Sequence, residues 1–257
     1  MQHNLCKNCQ HTFEGNFCSN CGQKTNTKRL DFEFVKDELK YTFFHINKGL
    51  LYTAKQLFIR PATTIVEFID GKRIQHYKPI LLVFVLAGIE GLLSHYLNLE
   101  KVLKTFSNKE AKYGAINTQI FEWISNHNSI VELALIPLVS LCSWLAFKKW
   151  GYNYIENIII NCFAAAQRII INIIFFPITY YLSSTEFFIL YNFLLALITY
   201  CFTLYVYSKI YNKQVLGNVI LRIVLFVFLL LMAFIIITTL IGFGYAFYLV
   251  KTGQLKD

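Results

Sequence analysis

The pattern of apolar and polar residues changes at Lys78, after which apolar residues come in long blocks. Each block has at least about the 20 residues that a helix needs to cross roughly 30 Å of hydrocarbon. The five blocks cover residues 79–99, 129–147, 158–182, 187–207 and 219–250. The pattern therefore predicts an all-α membrane protein with about five transmembrane helices. The last block is longer than a membrane requires, so it should tilt, protrude or bend, and a split block would change the number of spans.

The segment before these blocks, residues 26–78, has a different, amphipathic pattern. Apolar residues recur at steps of three and four over residues 30–60, and lysines occupy mostly the other faces. This predicts an amphipathic helix that ends before Pro61, because the residue preceding proline is pushed out of the α region. The helix would lie in the membrane interface or pack on its own protein. A short second helix over residues 62–70 is expected to end at Gly71.

Composition and charge support this picture and add an orientation. The 257 residues are 56% hydrophobic and only 15% charged, which excludes a disordered chain, a coiled coil and an ordinary soluble domain. The net charge of +9 favours contact with anionic lipid headgroups beside a bilayer. A cytoplasmic N-terminus places 17 Lys and Arg residues inside and 6 outside, as the positive-inside rule requires. The four lysines of the first external loop, residues 100–128, are the main exception.

The N-terminal residues 1–25 carry two Cys-x-x-Cys pairs, with eight residues between them. Each pair can form a tight knuckle that presents two thiolates, and a hairpin between the knuckles brings them together, as a tetrahedral zinc site needs. So short a segment has no core of its own, so zinc binding would supply most of its folding free energy. The pattern predicts a structural zinc ribbon, a closed site with no position left for catalytic water. The predicted zinc ligands are Cys6, Cys9, Cys18 and Cys21.

Other uses of these cysteines fit the sequence less well than zinc binding. A reducing cytosol argues against two persistent disulfides. A redox dithiol usually places one pair at the start of a helix, whereas here two pairs stand on short turns. His3 and His11 are available to replace one thiolate, although four cysteines already complete the tetrahedron.

Motifs in the first 80 residues resemble an uncharacterised family of bacterial membrane proteins, catalogued as domain of unknown function 3667. They are the run from Cys6 to Gln23, Pro61, the triplet Gly71-Lys72-Arg73 and the triplet Tyr77-Lys78-Pro79. The resemblance implies a zinc ribbon fused to a few membrane helices in the inner membrane of a Bacteroidota-like bacterium, and it implies no activity. The sequence departs from the family pattern at Gln10, where glycine often follows the first cysteine pair.

Polar residues on one face interrupt the third apolar block. They follow steps of four, seven and four, which is one side of a helix: Asn157, Asn161, Arg168 and Asn172. One interpretation is hydrogen bonding between helices, with Arg168 paired to Glu90 or Glu132. The other is a polar pathway, or a pocket for an anionic headgroup centred on Arg168, since ionisable groups in a bilayer cost about 2.5 to 3.5 kcal/mol and need a role.

The remaining polar groups of the blocks do not form a recognisable catalytic motif. Glu90 and His95 lie about 140° apart on a helix, which differs from the metalloprotease arrangement. Glu132 is near the start of the second block and is expected to reach the headgroups. With these three as the only acid-base candidates, no catalytic residue is assigned and the protein is predicted not to be an enzyme. Three further cysteines are expected to be small buried apolar groups: Cys142, Cys162 and Cys201.

These features divide the chain into a ribbon at 1–25, an amphipathic juxtamembrane segment at 26–78 and a transmembrane domain at 79–257. The leading hypothesis is a non-enzymatic membrane protein whose cytoplasmic ribbon is a docking or regulatory module, with a possible protein partner. The alternative is a small-molecule or lipid transporter or channel that uses the polar face of the third block. Nucleic-acid binding is disfavoured, because the knuckles lack a base-reading helix and an aromatic strand platform. The sequence assigns no substrate and no oligomeric state.

Overall fold

The computed structural model describes residues 3–25, 27, 29–40, 49–95, 128–183, 185–211 and 216–251. A two-stranded antiparallel sheet opens the chain, with β1 (Asn4–Leu5) paired to β2 (Thr12–Phe13). Helices make up most of the remaining described chain. They are α1 (Phe32–Lys40), α2 (Gly49–Ile59), α3 (Pro61–Ile69), α4 (Pro79–His95), α5 (Asn128–Phe147), α6 (Tyr154–Leu182), α7 (Phe188–Ile210) and α8 (Leu216–Lys251). A short 3-10 helix, Lys148–Trp150, follows α5.

Four of the described helical segments are long and apolar enough to cross a membrane, by length and composition. They are Ile130–Trp150, Tyr154–Leu182, Phe188–Ile210 and Asn218–Gly244, and they correspond to the last four predicted blocks. The first block begins in α4, which has 17 described residues, and its residues 96–99 lie outside the described part. A first span therefore stays a prediction. The last block is one continuous helix, α8, so it is not split.

Helix α6 is the centre of the bundle and packs against α4, α5, α7 and the α2–α3 pair. Its first half is buried on nearly all sides, with Ile159, Phe163 and Ile169 fully inaccessible. In contrast, α7 and α8 expose large apolar side chains such as Phe193 and Phe234. Apolar outer faces of this extent are typical of helices that contact lipid.

Helix α6 begins four residues before the predicted block because a capping box precedes the apolar run. The Asn153 side chain accepts a hydrogen bond from the Glu156 N–H at 2.8 Å, and the Glu156 carboxylate accepts one from the Asn153 N–H at 2.7 Å. These reciprocal bonds satisfy backbone donors that a helix start leaves without a partner. The hydrophobic pattern does not register them, because both side chains are polar.

The predicted helix over residues 30–60 is instead described as α1 and α2, with residues 41–48 between them outside the described part. The break before Pro61 and the short helix after it are confirmed, since α2 ends at Ile59 and α3 starts at Pro61. At the end of α3, Gly71 adopts a φ of +106°, which favours glycine. The two helices form an antiparallel pair, the α2–α3 hairpin.

The α2–α3 hairpin packs on its own protein along the first half of α6. The rings of Phe68 and Phe163 meet edge to face at 5.2 Å, and Gln167 Nε2 donates to Leu57 O at 2.8 Å. Gln167 lies about 20 Å along α6 from its start, so the hairpin runs deep beside the bundle. Its other side exposes apolar residues, with Leu51 78% accessible. Packing on its own protein is therefore confirmed, and a position in the membrane interface stays a prediction.

Candidate metal centre and intramembrane polar face

The two cysteine pairs form knuckles with the same backbone geometry. In the first, the Gln10 N–H donates to Cys6 O at 2.9 Å, and in the second, the Gly22 N–H donates to Cys18 O at 2.8 Å. Each bond closes a tight turn and directs both thiols of its pair to one side. The first knuckle is the turn of the β1–β2 hairpin, and the second is flanked by a bridge between Phe17 and Lys24, so that the two pairs lie face to face.

The four sulfur atoms lie within 4.8 Å of one another. The closest approaches join the two knuckles, with Cys6 Sγ at 3.5 Å from Cys21 Sγ and Cys9 Sγ at 3.6 Å from Cys18 Sγ. A zinc ion with four bonds of about 2.3 Å separates its sulfur ligands by about 3.8 Å, so these distances fit the tetrahedron. Phe13 is buried beside the sulfurs. The predicted residues therefore come together in a group that is able to hold a metal ion.

The histidines considered as substitute ligands are not part of this group. Nδ1 of His3 faces Glu14 Oε1 at 3.4 Å, and His11 contributes its backbone. A hydrogen bond from the His11 backbone lowers the pKa of the Cys9 thiol to about 6. Burial raises the pKa of the Cys21 thiol to about 11. Metal ligation requires all four thiolates, so a bound cation would release protons from the cluster.

The first knuckle carries a conformational cost that the second avoids. Gln10 has a φ of +61°, and Gly22 has a φ of +76° at the matching position. A side chain in the left-handed region costs about 1 kcal/mol or more. We expect Gln10→Gly to stabilise the metal-bound ribbon by about 0.5–1 kcal/mol, which a chelator titration of the purified protein would measure. Gly22→Ala is the reciprocal control and should weaken metal retention; easier metal loss from Gln10→Gly would contradict the assignment.

The ribbon is joined to the membrane domain through Gln23, the last residue of its motif. This side chain is 4% exposed, and its Nε2 donates to Gly71 O at 2.9 Å. Its Oε1 accepts from the Arg73 N–H at 3.1 Å and faces the Ile74 N–H at 3.4 Å. One amide therefore satisfies both a carbonyl and the backbone donors of the loop between α3 and α4. We call this contact the Gln23 joint.

The close fit at the Gln23 joint also explains why glycine occupies position 71. A Cβ atom there would come within 3.0 Å of Lys7 Cδ and 3.1 Å of Thr27 Oγ1. Lys7 in turn donates from Nζ to Thr27 O at 3.0 Å. Two of the motifs that carry the family resemblance, the run that ends at Gln23 and the triplet that starts at Gly71, thus meet where the ribbon contacts the loop before α4.

A second connection, not anticipated from the sequence, fixes the chain after the ribbon to the start of α6. Arg29 forms a bidentate ion pair with Glu156, with Nε–Oε1 and Nη2–Oε2 distances of 2.7 Å. Asn153 Nδ2 donates to Leu30 O at 3.0 Å, and Leu30 is fully buried. Glu156 is 3% exposed, so its charge needs this partner. No local pattern could reveal a pair separated by 127 residues.

The upper part of the α6 polar face forms a buried network with α5 and α7. Asn161 Nδ2 donates to Ser143 Oγ, which donates to Asn157 Oδ1, both at 3.0 Å. Tyr207 donates to Asn161 Oδ1 at 2.6 Å, and Tyr211 donates to Asn157 Oδ1 at 3.3 Å. These contacts confirm that the polar face points into the bundle. They join three helices near one end of the membrane domain.

The lower part of the face holds the ionisable groups. Arg168 Nη2 lies 2.8 Å from Glu132 Oε1, and Asn172 Nδ2 donates to Glu90 Oε1 at 2.8 Å. The expected pairing of Arg168 with an acidic group is confirmed, and Glu132 is the partner. The interpretation of Glu132 as a group that reaches the headgroups is wrong, because this ion pair holds it against α6. The side chain of His95 lies outside the described residues.

The three later cysteines differ in environment. Cys142 and Cys162 are buried as predicted, at 5% and 2% exposure. Cys201 is exposed, so that prediction is wrong. It lies on a face of α7 that also exposes Ile198.

Comparison with known proteins gives one match. The model of a family described as "Protein of unknown function (DUF3667)" matches residues 47–89. Over this segment the chain is similar to that family. The match covers the α2–α3 hairpin and the first part of α4, and it leaves out the ribbon, whose likeness to the family stays a prediction. No curated protein and no solved structure matches the chain.

Proposed function

We propose that this is a non-enzymatic membrane protein in which a structural zinc ribbon on the cytoplasmic side is a regulatory module. The Gln23 joint is the observation that carries the proposal, since it connects the metal-binding knuckles directly to the loop leading into α4. A ribbon that needs metal to fold would form this joint only when the metal is bound. Metal binding would then control the position of the α3–α4 loop.

Zinc is the metal that the donor set favours. Four thiolates at tetrahedral spacing are soft ligands that suit Zn²⁺, and they leave no coordination position for substrate or water. The closed sphere is the reason for a structural and not a catalytic assignment. A cytoplasmic location, where cysteines stay reduced, agrees with four free thiols.

Five spans, with the N-terminal segment on one side, are supported by the contacts at helix ends. The start of α6 meets the chain after the ribbon through Arg29, and the ribbon meets the loop that leads into α4 at Gly71 and Arg73. Tyr211, just after α7, meets Asn157 near the start of α6. Helix α5 also ends at this side, which supports a crossing between Pro79 and its start. Among the described residues, α4 is the apolar helix available for that crossing.

The charge distribution supports a cytoplasmic location for this side, in the inner membrane of a bacterium. Basic residues collect at these helix ends, as the positive-inside rule expects of cytoplasmic segments. The described ones at this side are Lys72, Arg73, Lys78, Lys148, Lys149, Lys209 and Arg222, against Lys251 at the opposite end of α8. The described turn between α6 and α7, at the other side, carries Glu186 and no basic residue.

The α3–α4 loop is well placed to transmit a conformational change of the ribbon, because it contacts several elements at once. The Arg73 guanidinium lies 5.3 Å from the Phe34 ring centroid and 5.6 Å from that of Phe68. The Tyr77 N–H donates to the Thr53 hydroxyl at 2.7 Å. The loop therefore links α1, the α2–α3 hairpin and α4. Releasing Gln23 would loosen a contact that all these elements share.

Replacing Gln23 with leucine tests whether this joint couples the ribbon to the membrane domain. The variant leaves the buried backbone groups of the loop without partners, and we expect a cost of about 1–3 kcal/mol. Zinc should stay bound, because all four thiolates remain. Hydrogen exchange of residues 70–78 should accelerate to the level that chelation produces in the unchanged protein, and chelation should then add little.

The exposed Gln75, in the same loop, provides the matched control. Gln75→Leu should leave both zinc content and exchange unchanged. If chelation still accelerates exchange of the loop in Gln23→Leu as much as in the unchanged protein, then coupling does not pass through this amide and the regulatory proposal fails.

A docking role for the same ribbon has its own support. Leu5 and Phe17 are 64% and 62% exposed, so the side of the ribbon that does not face the loop offers apolar groups to a protein partner. Two exposed apolar side chains on so small a unit are a starting point for an interface.

Transport of a small molecule or lipid is the alternative function, and Glu90 favours it. Its Oε2 is buried without a hydrogen-bond partner in the part of the chain that the structure describes. Glu90 accepts a hydrogen bond from Asn172, which is one turn of α6 beyond Arg168 and its partner Glu132. A carboxylate with free bonding capacity inside a helix bundle is a feature of ion and substrate pathways.

A further inference from the structure

A groove of about 740 Å³ lies between the α2–α3 hairpin and the second half of α7. It takes in the turn between α2 and α3 and three residues on one face of α7. The side chains that matter are Phe58, Arg60, Glu67, Phe202, Tyr205 and Lys209. The groove shares no lining residue with the polar face of α6.

The basic groups at the groove outnumber its one carboxylate, Glu67. Arg60 donates from Nε to Gln56 Oε1 at 2.6 Å, and its Nη2 is 3.6 Å from Glu67 Oε2. Lys209 Nζ lies 5.4 Å from the Tyr205 ring centroid and has no carboxylate partner among the described residues. Glu67 also pairs with Lys72 at 3.0 Å, so this one carboxylate is shared by two basic groups and the groove suits a negatively charged ligand.

The remaining surface of the groove is apolar and faces lipid. Phe58 is 53% exposed and Tyr205 is 52% exposed, on the outer side of the bundle. Lys209 is in the last turn of α7, and Phe202 is about 10 Å further into the apolar stretch of that helix. The groove therefore has Lys209 at its membrane-surface end and aromatic rings further into the hydrocarbon, and Arg60 reaches it from the turn of the α2–α3 hairpin.

We propose that this groove binds one anionic phospholipid of the surrounding leaflet. Arg60 and Lys209 contact its phosphate, and an acyl chain lies against Phe58 and Phe202. Guanidinium and ammonium groups are the usual partners of phosphate oxygens, and basic pockets between membrane helices recognise lipid headgroups. A free anion would leave the aromatic half of the groove unused, which is why the ligand is a lipid.

The test uses the full-length protein in nanodiscs of phosphatidylcholine and phosphatidylglycerol in equal parts. Native mass spectrometry after transfer to detergent counts the phosphatidylglycerol that stays bound. Lys209→Gln should lower its retention about fivefold, the effect of removing one cation near a headgroup. Arg60→Lys keeps the charge beside the turn and should retain most of the lipid. Lys148→Gln is the control, since it removes a cation that lies against Trp144, outside the groove.

Each outcome decides the proposal. Selective loss of phosphatidylglycerol in Lys209→Gln, with Lys148→Gln unchanged, supports it. Equal loss in both variants would mean general attraction to an anionic bilayer, and unchanged retention in Lys209→Gln would mean that the groove is not the site. Displacement of the lipid by excess inorganic phosphate would show an anion site without lipid selectivity. Any of these last three results overturns the proposal.

Discussion

Cys18→Ser is expected to reduce zinc from about one ion per chain to nearly none and to unfold the ribbon. Cys18 is 3% exposed at the centre of the only core the ribbon has among its described residues, a cluster of sulfurs with Phe13. Structural zinc supplies about 10–16 kcal/mol of apparent binding free energy to such units, far more than this small apolar cluster can provide. Elemental analysis of the purified protein measures the metal directly.

Cys201→Ser is the matched control, since it removes an exposed thiol far from the knuckles in the sequence. It should leave zinc at one ion per chain. Full zinc content in Cys18→Ser would contradict the assigned ligands. Two disulfides in the freshly purified protein would contradict the zinc ribbon as a whole, because oxidised pairs cannot serve as thiolate ligands.

Loss of the metal should also change the α3–α4 loop, which lies outside the ribbon. Without folded knuckles, Gln23 has no fixed position from which to hold the α3–α4 loop, so exchange of that loop should rise in Cys18→Ser as well. The Arg29–Glu156 pair and the buried core around Phe163 do not depend on the metal. The bundle should therefore keep its secondary structure, which circular dichroism would report.

The features that were predictable from the sequence are those set by neighbouring residues. Cysteine spacing was enough to foresee the knuckles, since each closes within five residues, and helix period was enough to place Asn157 and Asn161 on one face. The position of Pro61 marked the break between two helices. The difference between Gln10 and Gly22 at matching positions of the two knuckles is also visible in the sequence. The structure shows that Gln10 adopts a left-handed backbone, which is costly for a residue with a side chain.

The features that were not predictable depend on contacts between distant segments. Arg29 and Glu156 form an ion pair across 127 residues, and neither position looks unusual in its own neighbourhood. Both Glu90 and Glu132 could reach Arg168 on helical geometry alone, and only the packing of α5 against α6 selects Glu132. The predicted burial of Cys201 is wrong because α7 is apolar on all sides, so the sequence of this helix does not indicate which side faces lipid.

Arg168→Leu is expected to destabilise the membrane domain by about 3–5 kcal/mol. The substitution leaves Glu132 as an uncompensated charge between helices, and breaking such a pair from one side costs about that much. Both side chains are only about one-fifth exposed, so neither is well hydrated. Thermal unfolding of the purified protein in detergent measures the loss. Arg222→Leu is the control. The Arg222 guanidinium, near the start of α8, has only a weak contact of 3.4 Å with Ala146 O, so the expected cost of its removal is below about 1 kcal/mol.

The double variant Arg168→Leu with Glu132→Leu separates structure from transport. If the pair serves only to hold α5 against α6, removing both charges restores most of the lost stability, because an apolar pair of similar volume packs there without desolvation cost. A stable double variant that has lost an uptake activity of the unchanged protein in proteoliposomes would instead assign the pair to a pathway. A stable Arg168→Leu single variant would contradict the ion pair itself, since Glu132 would then need no partner.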